Sequence, residues 1–195
     1  MARAIIDDAP ARHPPTLDLA RSWHRQVYSG VHVPVPYYVG EVRDSDPRFP
    51  EFMTYEVRVG TTQGVPCAEV VDQLARFEEQ MQSAVGLLDP RVRHRFPPAL
   101  SGALLSSILV FCANAHGEWI RIRPFANGNG RTARLWVLWV GSRYALPPFV
   151  GIKPRPHGYS YASAAAASMR GDHRPMVTVF SDMLADRMRR GAGGP

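Results

Sequence analysis

The chemistry of this chain concentrates in one stretch, Arg-Ile-Arg-Pro-Phe-Ala-Asn-Gly-Asn-Gly-Arg-Thr-Ala-Arg, running from Arg121 to Arg134. Gly128 and Gly130 free backbone N–H groups to face an anion. The apolar run that follows places a helix start near Asn129, so the positive end of that helix points the same way. Arg131 and Arg134 are three residues apart and share one helix face. Two guanidiniums beside a nest of amides make a receptor for a di- or triphosphate. The same residues could form a glycine-rich turn with arginines exposed by chance, but cations at a helix N-terminus are unfavourable unless an anion offsets them. Two commoner nucleotide loops are dismissed. The run from Gly128 to Ala133 fits a loose G-x-G-x-x-A fingerprint, yet no proper strand precedes it and no acidic residue follows at the required spacing. A Walker loop needs Gly-Lys-[Ser/Thr], and the single lysine, Lys153, follows Ile152.

Charge supports an anion site. Lys plus Arg total 23 against 17 Asp plus Glu, a net +6. No acidic residue lies between Glu118 and Asp172, a window that holds Arg121, Arg123, Arg131, Arg134, Arg143, Lys153, Arg155 and Arg170. A second basic group, Arg91, Arg93, His94 and Arg95, reads as a solvated loop. The histidines show no ligand pairing at helix spacing, and Cys67 and Cys112 stand far apart, so neither a dedicated metal site nor a disulfide framework is expected. With 45% hydrophobic residues in 195, the chain can build one packed core. No apolar run reaching the roughly 18–20 residues of a membrane span and no cleaved leader are read, so a cytoplasmic location is expected.

The elements that must position the loop follow from periodicity. Residues 1–15 read as a loose arm. Leu19, Trp23 and Val27 recur every four residues and predict a short helix. Residues 29–50 are rich in Pro and Gly and read as irregular. Tyr55, Val57 and Val59 alternate with charged residues before a Gly-bounded turn, predicting a hairpin over 54–66. Val70, Leu74, Phe77 and Met81 form an amphipathic stripe after Pro66. Residues 99–117 and 131–144 are apolar on nearly every face and predict two buried helices flanking the loop. Residues 162–169, and the stripe Val177, Phe180, Leu184 and Met188, predict two more, with a frayed tail at 191–195. The expectation is a mostly α fold, a helical bundle with one small hairpin, divided as an arm and short helix (1–39), a main domain (40–190) and the tail.

The loop also resembles a known family. The pattern H-P-F-x-[D/E]-G-N-G-R-x-x-R marks the Fic (filamentation induced by cAMP) domain, and Arg123-Pro-Phe-Ala-Asn-Gly-Asn-Gly-Arg-Thr-Ala-Arg134 agrees at ten of its twelve positions. His116, the hairpin at 54–66 and the C-terminal stretch lie where the family carries a helix histidine, a flap that docks a target segment and its closing helices. The resemblance implies AMP transfer from ATP to a protein hydroxyl. It assigns Gly128, Asn129 and Gly130 to an anion hole, gives Asn129 a side-chain contact to phosphate, and has Arg131 and Arg134 hold the β- and γ-phosphates. Phe125 would anchor the loop.

Two departures alter that expectation. The family's general base is a histidine, and here the position is Arg123, which stays protonated at any ordinary pH. The Mg²⁺ ligand is usually Asp or Glu, and here it is Asn127, whose uncharged amide oxygen weakens Mg²⁺ binding. Three accounts of Arg123 stay open: lost transferase chemistry, an electrostatic clamp for other chemistry, or a variant of an active enzyme. His116, on an apolar helix, reads as a core residue rather than a substitute base. No [S/T]-x-x-x-E-[G/N] inhibitory run is found, so Arg134 would be free for nucleotide or restrained by a separate antitoxin-like partner. The functions expected are therefore an impaired or altered adenylyltransferase with ATP as substrate or, as the alternative, a nucleotide-binding pseudoenzyme that regulates a partner. A nucleic-acid module rests on charge alone, without a helix-turn-helix or a stacking sheet.

Overall fold

A computed structural model describes residues 2–11, 13–44, 46–92 and 100–192. Among these run helices α1 (Ala2–Asp8), α2 (Leu17–Val27), α3 (Val70–Leu88), α4 (Gly102–Ile122), α5 (Asn129–Arg143), α6 (Tyr159–Ser168) and α7 (Arg174–Ala192). The strands β1 (Arg58–Val59) and β2 (Thr62–Gln63) pair antiparallel. The fold is the expected mostly helical one with a two-strand hairpin. Its centre is the antiparallel pair α4 and α5, apolar on most faces because both are covered on most faces. Ser101 caps α4 by accepting the Leu104 N–H at 3.2 Å. The α3 stripe Val70, Leu74, Phe77 and Met81 is buried against this pair and continues through Val85 and Leu88.

Trp119 on α4 and Trp136 on α5 meet at 5.8 Å between ring centroids. Phe77 from α3 and Trp23 from α2 complete the cluster at 5.2 and 4.8 Å from Trp119 and Trp136 respectively. One edge of this cluster reaches Phe125, 5.8 Å from Trp119, so the core directly braces the loop after α4.

Three expectations are corrected. Residues 2–11 are not a loose arm: α1 and the turn after it pack on α5, because Ile5 and Ala9, four residues apart, share one buried face while Asp7 and Asp8 point off it into solvent. Helix α7 runs to Ala192, inside the tail expected to fray, while 193–195 lie outside the described residues, as do Arg93, His94 and Arg95 of the second basic group. Helix α4 is long and apolar enough to cross a membrane by composition, contrary to expectation. Yet 56% of that window is buried inside the protein, as befits a core helix. Cys67 and Cys112 are both buried and free.

Candidate active site

The loop joining α4 to α5 is shaped by its own side chains. Arg123 ends α4 in the left-handed conformation (φ 51°), uncommon for a residue with a Cβ, and turns the chain back sharply. Phe125 then plugs into the core, fully buried, with the His24 ring stacked on it at 3.8 Å. Asn129 clamps the same residue: its Oδ1 accepts the Phe125 N–H at 2.9 Å and its Nδ2 donates to the Phe125 carbonyl at 2.7 Å. The side chain expected to contact phosphate is thus engaged in holding the loop. Gly128 (φ 77°) starts α5, where a Cβ would stand 3.0 Å from both His24 and Tyr28, so neither conformation nor space admits another residue without displacement.

His24 is tied at both nitrogens. Its Nδ1 accepts the Gly40 N–H at 2.9 Å, so its Nε2 carries the proton and donates to the Asn127 carbonyl at 3.1 Å. Burial, reinforced by the charges of Arg131 and Arg25, pushes its pKa down to about 4.

Arg43 is the organiser that sequence reasoning missed. Its side chain is fully buried, and its guanidinium donates to the carbonyls of Arg123 (2.7 Å), Ile122 (2.8 Å) and Val65 (2.5 Å), and to Tyr55 (3.3 Å). Its own N–H reaches the Pro124 carbonyl at 2.7 Å. One cation therefore satisfies the C-terminal carbonyls of α4 and binds them to both ends of the hairpin. Glu56, at 3.4 Å, is its carboxylate partner.

Two cavities meet at this loop. One, of about 350 Å³, lies between the hairpin and the start of α5, and Arg58, Arg123, Arg131, Arg134 and Arg155 line it together with residues 126–130. No carboxylate is among its lining residues. The α5 amides at Asn129 and Gly130 lack an intrahelical carbonyl, as at any helix start, while those of Arg131 and Thr132 return to the Gly128 carbonyl at 2.9 and 3.0 Å. The second cavity, of about 210 Å³, shares Arg123, Gly130, Arg134 and Arg155 with the first, and Ile120, Ala162, Ala165, Ala166 and Met169 make it largely apolar. Tyr161 also lines it.

The loop residues Arg123, Asn127, Gly128, Asn129, Gly130, Arg131 and Arg134 all border the first cavity. Arg131 is stacked on Tyr28 at 4.7 Å and donates to its hydroxyl at 2.8 Å. Arg134 is buried and donates through Nε and Nη2 to the Ile152 carbonyl, at 3.2 and 2.9 Å. Arg123 leans on Met169 Sδ at 3.2 Å. Burial, with the charges of Arg43 and Arg155, pushes its pKa down to about 10, still well above neutrality. His116 is buried behind the second cavity, its Nε2 2.8 Å from the Tyr161 hydroxyl, and burial pushes its pKa down to about 3. It borders neither cavity, consistent with the core role expected of it. Arg58 and Arg155 were not read as site residues. The acid-free window contained Arg155, but nothing local marked it out.

The donor set does not fit a protein-held Mg²⁺. Asn127 Oδ1 accepts the Gly128 N–H at 2.6 Å, and no grouping of His, Cys, Asp or Glu suited to a metal occurs among the described residues.

Comparison with known proteins adds a family match, two relatives and a structural neighbour. A sequence model of the Fic/DOC family matches residues 14–140. A protein of Aedes aegypti named protein adenylyltransferase Fic is 34% identical over 80 residues, 41% of this chain and 16% of that protein. Its namesake in Drosophila willistoni is 33% identical over 90 residues, 45% of this chain and 18% of that one. The chain thus matches under a fifth of the length of these relatives. A crystal structure of a Fic-domain-containing signalling protein from Bacteroides thetaiotaomicron superposes with a TM-score of 0.64 at 20% identity, covering 94% of this chain and 64% of that one, a likeness of fold.

Proposed function

The chain belongs to the Fic/DOC family, and on that footing we propose that it is a Fic-type adenylyltransferase that keeps its nucleotide site and is impaired in the transfer step. One observation carries this reading: the arginine-walled cavity opens, across Arg123, Gly130, Arg134 and Arg155, onto a largely apolar one. That division suits a nucleoside polyphosphate, with phosphates on the loop amides and guanidiniums and the nucleoside against α6. The acceptor would be a hydroxyl of a protein segment lying along the hairpin, where Val59 is half exposed.

In AMP transfer, the hydroxyl oxygen forms a bond to the α-phosphorus, pyrophosphate departs, and the hydroxyl proton must go to a base. Arg123 occupies the position of that base. Even with its pKa lowered to about 10 it holds its proton at neutral pH and offers only positive charge. Loss of such a base costs about 10²–10⁴ in rate. Arg123→His, assayed with α-labelled ATP, is expected to raise label transfer to protein by that factor over the unaltered chain. If the histidine variant binds ATP and labels nothing, itself included, the adenylyltransferase reading fails. The alternative, a nucleotide-binding regulator without turnover, then stands on ATP affinity lost in Arg131→Ala.

A further inference from the structure

In ordinary polyphosphate sites a carboxylate brings a divalent cation, which neutralises part of the ligand's charge. Here that charge is met differently. Arg58 comes from the hairpin, Arg123, Arg131 and Arg134 from the loop and α5, and Arg155 from the segment before α6; all five border one cavity whose lining includes no carboxylate. The amide at Asn127 is turned onto the Gly128 N–H at 2.6 Å. A hydrated cation placed here would meet guanidiniums on every side and no anionic protein ligand. We infer that this site takes its nucleoside polyphosphate as the metal-free anion, with Arg155 and Arg58 supplying the charge compensation that a cation gives elsewhere. The inference rests on the nucleotide reading above and narrows its ligand to the uncomplexed form.

Arg155 is the informative residue. It is exposed, lies over the Tyr161 ring at 5.6 Å, and borders both cavities, so it can close on a phosphate without disturbing the core. Its charge also faces Arg123, one of the two cations whose repulsion lowers that residue's pKa. An anion between them would relieve that repulsion; a neutralised one would do so less.

The test is titration calorimetry of ATP into the full chain, in EDTA and in saturating Mg²⁺ at matched ionic strength. Metal-free ATP is expected to bind about tenfold more tightly, the order expected when a divalent cation removes part of the charge facing several guanidiniums. Arg155→Gln is expected to weaken metal-free binding by about tenfold with the melting temperature unchanged, because the side chain is exposed. Asn127→Asp is expected to reverse the preference, so that Mg²⁺ strengthens binding. Equal or tighter binding with Mg²⁺ in the unaltered chain overturns the inference, as does an Arg155→Gln chain that binds metal-free ATP unchanged or an Asn127→Asp chain that does not bind ATP more tightly with Mg²⁺. Absence of binding under both conditions overturns the nucleotide reading itself.

Discussion

Arg43 concentrates more of the site's architecture than any motif residue. It sits where four carbonyls converge from two separate segments, and each would be left without its charged donor on truncation. Arg43→Ala is expected to cost about 3–5 kcal/mol in urea unfolding, since it orphans several buried acceptors at once. A loss under about 1 kcal/mol would mean that water replaces the guanidinium freely. Gly128 is the second sensitive position. Gly128→Ala must adopt φ near 77° and push against His24 and Tyr28, so a loss of about 1–3 kcal/mol and weakened ATP binding are expected by melting and calorimetry.

The hairpin and α4 lie at opposite ends of the stability range. β1 and β2 contribute two residues each, and Arg58 and Val59 are exposed, so little apolar burial holds the hairpin beyond the Arg43 contacts at its base. Amides at residues 58–63 are expected to exchange with deuterium orders of magnitude faster than those in the middle of α4 and α5, and to slow when ATP occupies the cavity beside Arg58. Equal exchange with and without ATP would place the nucleotide elsewhere. In α4, Gly117 is glycine for a packing reason: a Cβ there would fall 2.2 Å from His173 Nδ1. Gly117→Ala must swing that ring away and break its contact to Glu118, so a cost of about 1–3 kcal/mol in thermal melting is expected. Burial raises the Glu118 pKa, but its hydrogen bonds with His173 and Arg121 outweigh this and leave it at about 2.

For the whole protein, the two buried histidines set an acid limit. His24 and His116 have folded pKa values pushed down by burial to about 4 and about 3, below the ordinary 6.5. Between those values the unfolded chain binds protons that the folded chain refuses, so stability is full above pH 6.5 and falls as pH drops towards 4. Each histidine removes about 2 kcal/mol by pH 5. Glu118 adds its own loss only below its ordinary 4.5, so the decline between pH 6.5 and 4.5 belongs to the histidines. Urea unfolding at pH 7.5 and 5.0 checks this: similar stabilities at the two values would show that the rings are protonated in place. A His24→Asn variant should lose part of the slope.

Much of this was readable from local pattern. Phe125 as the buried anchor comes with the family resemblance, while the glycines and the helix start of the loop, the stripe of α3 and the apolar faces of α4 and α5 follow from spacing within one segment. Those features depend on neighbours a few residues apart, which is why sequence alone expresses them. The remainder depends on residues far apart in the chain. Arg43 reaches carbonyls some eighty positions on, and His24 from α2 braces a loop more than a hundred positions away. Arg58 and Arg155 reach the cavity only because the hairpin and the segment before α6 fold over the same helix start. No periodicity marks a lone arginine as buried or as facing a shared cavity, because its neighbours there are chosen by the packing of whole helices rather than by the residues beside it.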